Sequence, residues 1–441
     1  MAKIFIAFFN GIDDPNDVYG VPCFFDAFFQ GLINLGNELL VFQSKKFFFN
    51  FEKHDDLLKA KIKEIKAFNP DLILLFNNSF CDISQEFDCP IIIYEVDSPL
   101  YYQNKKSLLK NKDRYKFFVP QTDTIKFLQD EWKINKKNIL YTPFFSSVNA
   151  VDIPFRTNIS FIGTKFTQGC HQFTINTFMS STPNEAEIEE FKKVLEYYAK
   201  QPFLTKEEII QNLCIKSNKV IRYINPDILI WELSDTKRVR TLATVADLGL
   251  KIYGTPNWYK DLPYEPELTL SYINKYVYSL KHNQDIYNSS KIGININHLQ
   301  AKSGFAWRVC DIMASNACLV TEYKPDIEKL FPKIPIPFFT NRFEAREQCI
   351  KLLKNENLRR DIVLSCQSVI NEKYRFKHLI ANIEDYLNIS LHKEQVGTIK
   401  YLDVPLFNKS PDYNPQCSSK NKMRLKIYKY LKRRLEDDNV I

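Results

Sequence analysis

Glycine is scarce in this chain. There are 11 glycines among 441 residues, so few loops can use left-handed backbone, and each glycine that does occur marks a sharp turn or a close approach. No apolar run reaches the roughly 18 residues that a membrane-spanning helix needs. The apolar start, Ile4 to Phe9, is short and runs into Asp13 and Asp14, so it reads as a first strand and not as a signal peptide. Ten cysteines are scattered without a C-x-x-C, and the six histidines form no pair at metal-ligand spacing. That pattern excludes a zinc site and a disulfide framework, and reads as thiols in a reducing cytoplasm. What is abundant is aromatic: 35 Phe and 23 Tyr, with 45% hydrophobic residues in all. Such a chain can fill two or three cores.

The most informative stretch is Lys291 to Phe331. Ile292, Ile294 and Ile296 alternate as in a buried strand, and a polar loop, His298 to Gly304, follows. Val309, Ile312 and Met313 then recur at helical spacing, predicting a helix over Ala306 to Ser315. Ala317 to Thr321 is a second strand, and Pro325 opens another helix. Strand, loop, helix, strand, helix is the unit of a parallel sheet covered on both faces, and such sheets bind ligands at the carboxyl ends of their strands. Arg308 and Asp311 stand at that loop, three residues apart on one helix face. A carboxylate suits the paired hydroxyls of a ribose and a guanidinium suits a phosphate, while a surface ion pair is the plainer alternative.

The run Ser290 to Asn297, then Gly304-Phe-Ala-Trp-Arg308-Val-Cys-Asp311, Leu319-Val-Thr321 and Phe331, resembles the C-terminal half of the CgeB-like glycosyltransferases. The resemblance implies the GT-B type, two Rossmann-like domains facing a cleft. It implies a diphosphate contact at Arg308, a ribose contact at Asp311, and donor contacts from His298 and Gly304 in the loop before them. Three positions depart from the family pattern. The acidic residue is Asp and not Glu, the usual glycine is Asn316, and the second glutamate of related retaining enzymes is replaced by Ser303.

Upstream, strands are predicted at Lys3 to Phe9, Leu39 to Phe42, Asp71 to Phe76, Pro90 to Val96, Tyr115 to Val119 and Asn138 to Tyr141. Helices are predicted at Pro22 to Leu35, Lys59 to Phe68 and through Gln129. Asp97, at the end of a buried strand, is the candidate catalytic base. The polar loop from Asn10 through Gly11 and Asp13 to Gly20 is the candidate acceptor loop. Asp13, Asp14 and Asp17 are of the type that binds magnesium or manganese, but the resemblance implies no metal and no cofactor, and solvated loop acids are the commoner case.

A second Rossmann-like series starts at Asn158 to Gly163, whose terminal glycine the resemblance places near the donor phosphates. A helical insertion follows at about 167–235. The series resumes with a helix from Arg238 to Gly249, a strand Lys251 to Gly254, and Trp258, which can stack on a base or close a loop over the core. Helices are expected at Leu270 to Leu280, Gln284 to Ser289, Arg342 to Lys354 and Leu358 to Asn388. The expected domains are 1–150 for the acceptor, 151–390 for the nucleotide sugar, and 391–441 for a linker and tail. Net charge is +8, concentrated in that tail, where Lys420 to Leu435 carries eight Lys or Arg with Leu425, Tyr428, Leu431 and Leu435 on one helical face. A basic amphipathic helix suits an anionic membrane surface, and nothing elsewhere reads as a nucleic-acid motif.

The resulting expectation is a cytoplasmic, peripherally membrane-bound glycosyltransferase. It would move a sugar from a nucleotide sugar to a surface polysaccharide or lipid-linked glycan. An epimerase or phosphorylase on the same frame, or a non-catalytic glycan-binding relative, are the alternatives.

Overall fold

The computed structural model describes residues 2–9, 22–44, 55–79, 83–102, 105–165, 173–254, 258–259, 265–273, 277, 279–392 and 394–402. The acceptor loop (Asn10, Gly11, Asp13) and the basic tail fall outside them. The chain divides into two compact units. One comprises Met1–Ala150, Tyr278–Gln284 and the described residues from Cys366 onward, and the other Val151–Val277 and Asp285–Ser365.

In the first unit, β1 (Lys3–Phe9), β2 (Glu38–Ser44), β3 (Leu72–Phe76), β4 (Ile91–Tyr94), β5 (Tyr115–Val119) and β6 (Ile139–Tyr141) alternate with α1 (Cys23–Asn34), α2 (Asp55–Phe68), α3 (Lys105–Lys110) and α4 (Thr122–Asp130). The strands are parallel in the order β2-β1-β3-β4-β5-β6. Both faces are buried, which is why β3 and β4 are continuous apolar runs, LILLF and IIIY. Phe5, Ala7, Ile73, Leu75, Ile91 and Ile93 fill one face. On the other, Phe8, Phe76 and Tyr94 meet Phe24, Phe25 and Phe28 of α1, with ring centroids 4.7–6.2 Å apart. Part of the phenylalanine excess is thus the packing of one helix on one sheet. Gly36 takes φ +85° where α1 ends.

In the second unit, β7 (Thr157–Ile162) leads into five helices, α5 (Phe173–Ser180), α6 (Glu185–Lys200), α7 (Lys206–Leu213), α8 (Asn218–Tyr223) and α9 (Pro226–Thr244). Then come β8 (Leu250–Tyr253), β9 (Tyr272–Ile273), α10 (Leu280–Asn288), whose residues up to Gln284 belong to the first unit, β10 (Ser290–Asn295), α11 (Arg308–Ala314), β11 (Cys318–Glu322), α12 (Pro325–Leu330), β12 (Phe338–Phe339), α13 (Arg342–Lys354) and α14 (Glu356–Lys373), which belongs to the first unit from Cys366 on. The strands are parallel in the order β12-β11-β10-β7-β8-β9.

Four expectations change. The insertion does not stop at 235, because α9 runs unbroken through it, capped by Asn225 with Pro226 at its first turn. The helix expected over Leu270 to Leu280 is in part β9, pairing with β8 at the sheet edge. The last helix breaks in two, α14 and α15 (Phe376–Leu387), the second lying in the first unit. The chain then adds β13 (Thr398–Tyr401) outside β2, in the stretch read as a linker. Gly397 permits this: a Cβ there would collide with the Asn37 carbonyl, to which the Thr398 amide donates at 3.1 Å. Its alternation of exposed and half-buried residues gave no apolar signal to read.

Candidate functional site

The residues predicted for the donor gather at the carboxyl edge of the second sheet. Gly163 follows β7 and Gly254 follows β8, and the two backbones touch: the Gly163 amide donates to the Tyr253 carbonyl at 2.9 Å. A Cβ at Gly254 would collide with the Gly163 carbonyl oxygen. Gly254 is therefore required by packing, independently of any ligand. Trp258 holds the same turn. Its indole N–H donates to the Gly163 carbonyl at 3.0 Å and its ring is fully buried. A base cannot stack on a face that is already covered, so Trp258 closes the loop over the core, the second of its two sequence readings.

Arg308 opens α11. Its guanidinium donates to Asn295 Oδ1 at 3.4 Å and lies 5.6 Å from the Phe161 ring centroid. Asn297 ties the end of β10 to the entry of α11, accepting from the Ala306 amide at 3.1 Å and from Asn295 at 3.2 Å. Asp311, one turn into α11, is 6% exposed, and Gly304 is buried in the loop before it. Ser303 donates to Asp326 Oδ2 at 2.9 Å, so a buried acidic side chain stands beside that position.

Sequence reading missed the other half of this edge, which α9 supplies. Trp231, Ser234, Asp235 and Arg238 recur at three- and four-residue spacing on one helix face. That face packs on the ends of β7 and β10, and from Ser234 on it is buried although polar. Arg238 donates to the Thr164 carbonyl at 2.6 Å and the Ile296 carbonyl at 3.1 Å, joining the two strand ends. Its guanidinium is 5.3 Å from the Phe161 centroid. Burial, then the charge of Arg308, makes Arg238 hold its proton well below the usual arginine range, against the pull of Asp235 and Glu322. Two guanidiniums thus share one phenyl ring, a concentration of positive charge that an anion would relieve.

Around them the charges are paired. Lys165 and Asp235 form a fully buried ion pair at 2.5 Å. Lys237 reaches both Glu322 oxygens, at 2.7 and 2.9 Å. Burial resists ionisation of Glu322, but Lys237, Lys324 and the Asn297 amide outweigh it and lower its pKa. His298 is held neutral, its pKa well below the usual value through burial and then the charges of Arg238, Lys237 and Lys324. Its Nδ1 accepts from the Gln300 amide at 3.0 Å, so its proton sits on Nε2. The Trp231 ring packs on it in a T-shaped pair, centroids 5.0 Å apart.

Asp97 belongs to the first unit, at the carboxyl edge of that sheet. It is exposed and oriented by Asn77, which accepts from the Val96 and Asp97 amides at 2.9 Å each and donates to Asp97 Oδ2 at 3.1 Å. Glu95, two residues earlier, was not anticipated. It is 2% exposed, and Oε1 accepts from Gln121 at 2.6 Å and Thr124 at 3.0 Å. Burial, aided by the Asp97 charge, raises its pKa from 4.5 to about 8. Of two adjacent carboxyls, one is therefore neutral at pH 7 and the other faces solvent.

A stability signature follows. The raised folded-state pKa favours folding fully below about pH 4.5, and this contribution is lost as pH climbs through about 8. The whole span corresponds to on the order of 5 kcal/mol at most. Urea unfolding at pH 5, 7 and 9 should show stability falling with pH, and Glu95→Gln should flatten that slope.

Among the described residues no three His, Cys, Asp or Glu side chains gather as a metal site, and no helix is long and apolar enough to cross a membrane.

Residues 237–385 match the family model described as "Glycosyl transferase-like". That span contains Arg238, His298, Arg308 and Asp311. None of the curated proteins compared with the chain matches it. Among solved structures, the chain is similar to sucrose-phosphate synthase from Thermosynechococcus elongatus. The TM-score is 0.54 at 8% identity, covering 88% of this chain and 98% of that one. It is also similar to a glycosyltransferase from Rickettsia africae, with TM-score 0.48 and 11% identity, covering 89% and 99%. The fold is that of the GT-B glycosyltransferases.

Proposed function

With residues 237–385 forming a glycosyl transferase-like domain on a GT-B fold, we propose that the protein transfers a sugar from a nucleotide-sugar donor to a glycan acceptor. The observation that carries this reading is the pair of guanidiniums, Arg238 and Arg308, on Phe161 at a glycine-lined strand edge. A nucleoside diphosphate leaving group needs fixed positive charge as its glycosidic bond breaks, and preoriented cations supply it without reorganisation. Arg308 is the proposed diphosphate clamp and Asp311 the ribose anchor. No metal is assigned to the reaction: the two arginines stand in the role of counter-charge.

Asp97 is the proposed base that takes the acceptor hydroxyl proton. Its exposure and its fixation by Asn77 support this. Incubating the protein with UDP-, GDP-, TDP- and CMP-sugars plus candidate acceptors tests the whole reading. Release of nucleotide with formation of a glycoside is the expected result. Epimerised sugar, or nucleotide binding without turnover, would point to the two alternatives. Asp97→Asn should lower turnover by about 10²–10⁴-fold, the usual worth of a general base, with donor affinity unchanged. Near wild-type turnover would remove Asp97 from the mechanism.

A surface polysaccharide or lipid-linked glycan is the proposed acceptor class, and the basic segment Lys420 to Leu435 the proposed membrane contact. Each Lys or Arg near an anionic surface contributes about 1 kcal/mol. Deleting Lys420 to Ile441 should abolish co-sedimentation with phosphatidylserine vesicles and spare turnover on a short soluble acceptor.

A further inference from the structure

Trp231 is a large aromatic left 38% exposed at the rim of a polar strand edge. Its position is set by α9. Seven residues separate it from Arg238, two helical turns, or about 10 Å along the axis. Arg238 contacts the carbonyl of Ile296, whereas Trp231 meets His298, two residues further out along the same chain. Trp231 therefore lies beyond the guanidinium pair, away from the sheet. Asp311 lies on the other side of that pair, because it is C-terminal to Arg308 on a helix that runs back from the edge. Ile228, one turn before Trp231, is 44% exposed and extends the apolar surface outward.

We propose that Trp231 is the platform on which the transferred sugar of the donor rests. This rests on the donor-site reading above. With the ribose at Asp311 and the diphosphate at Arg238 and Arg308, the third part of a nucleotide sugar falls at Trp231. The C–H face of a pyranose is apolar and flat enough to cover an indole face, while its hydroxyls point sideways to polar neighbours. His298 packs against the indole, ring centroids 5.0 Å apart with the planes at 73° to each other, and so holds its orientation. The helical insertion thereby acquires a role. Trp231 precedes the span matched by the family model, and the insertion delivers it to a site whose phosphate end lies within that span.

The test separates the sugar from the nucleotide. Binding of UDP-glucose, GDP-mannose, UDP and GDP is measured by calorimetry on the full chain and on Trp231→Ala and Trp231→Phe, with circular dichroism confirming the fold of each. Trp231→Ala should weaken the sugar nucleotide about tenfold and leave the matching free diphosphate unchanged, and Trp231→Phe should recover most of the loss. Equal weakening of both ligands, or of neither, would overturn the inference while leaving the donor site standing. If the unaltered protein binds none of these, nor any TDP- or CMP-sugar, the donor-site reading falls, and this inference with it.

Discussion

Replacing Lys165 by methionine should destabilise the protein by about 3–5 kcal/mol, the usual consequence of removing one partner of a buried ion pair. Lys165 and Asp235 are both fully buried at 2.5 Å. In water each charge is solvated, whereas here each has given up that solvation for the other. Methionine keeps the length and apolar volume of the lysine stem but leaves the Asp235 carboxylate without its cation. Urea denaturation should show the loss as a lower midpoint at unchanged slope. The double replacement, Lys165→Met with Asp235→Leu, should regain most of the stability, because the desolvation cost disappears together with the attraction. If the single variant is as stable as the parent, the pair does not hold β7 to α9.

Asp311→Ala should weaken nucleotide binding by roughly ten- to several-hundred-fold. A hydrogen bond to a charged group contributes about 1.5–3 kcal/mol, and truncation removes both that a carboxylate makes to a ribose. The control uses the ligand. The 2′-deoxynucleotide should bind the parent protein less tightly than the ribonucleotide, and the Asp311→Ala protein should bind the two alike. Because Asp311 is only 6% exposed, Asp311→Asn is the companion variant, preserving shape while removing charge. It should lie between the two in affinity. Retention of full ribo/deoxyribo discrimination by Asp311→Ala would assign the residue a structural role on α11.

Both predictions concern one strand edge, yet only one side of it could be seen beforehand. Arg308 and Asp311 stood out because they open a helix after an alternating strand, a local pattern within about twenty residues. Arg238, Lys165 and Asp235 did not, since they lie 70 or more positions from Arg308 along the chain and look like ordinary charges on solvated helices. The one available signal was the spacing of Glu232, Asp235 and Arg238 in a helix that also carries Leu229, Ile230 and Val239. Charges that share the buried face of a helix are rare unless they are paired or functional.

Glu95 was hidden for the opposite reason. It sits between Tyr94 and Val96 in what reads as one apolar strand, and nothing local says that its carboxyl is sealed in with Gln121 and Thr124 from the next βα unit. Trp258 shows the limit from another side. The sequence placed it beside Gly254, but its two readings differ only in which way the ring turns, and the Gly163 carbonyl decides that.

By itself, then, the sequence determined the two parallel sheets. Their period-2 and continuous apolar runs, the proline and glycine punctuation and the helical spacing are local and are all consequences of burying a strand on two faces. The course of α9 through the insertion boundary, β9 in place of a helix, and β13 beyond β2 were decided by the tertiary structure. Each depends on a partner distant in the chain: strand ends that accept from Arg238, an open edge at β8, and an Asn37 carbonyl that only glycine can approach. Backbone groups at a sheet edge must find partners somewhere. Which segment supplies them is a property of the folded chain, not of the segment.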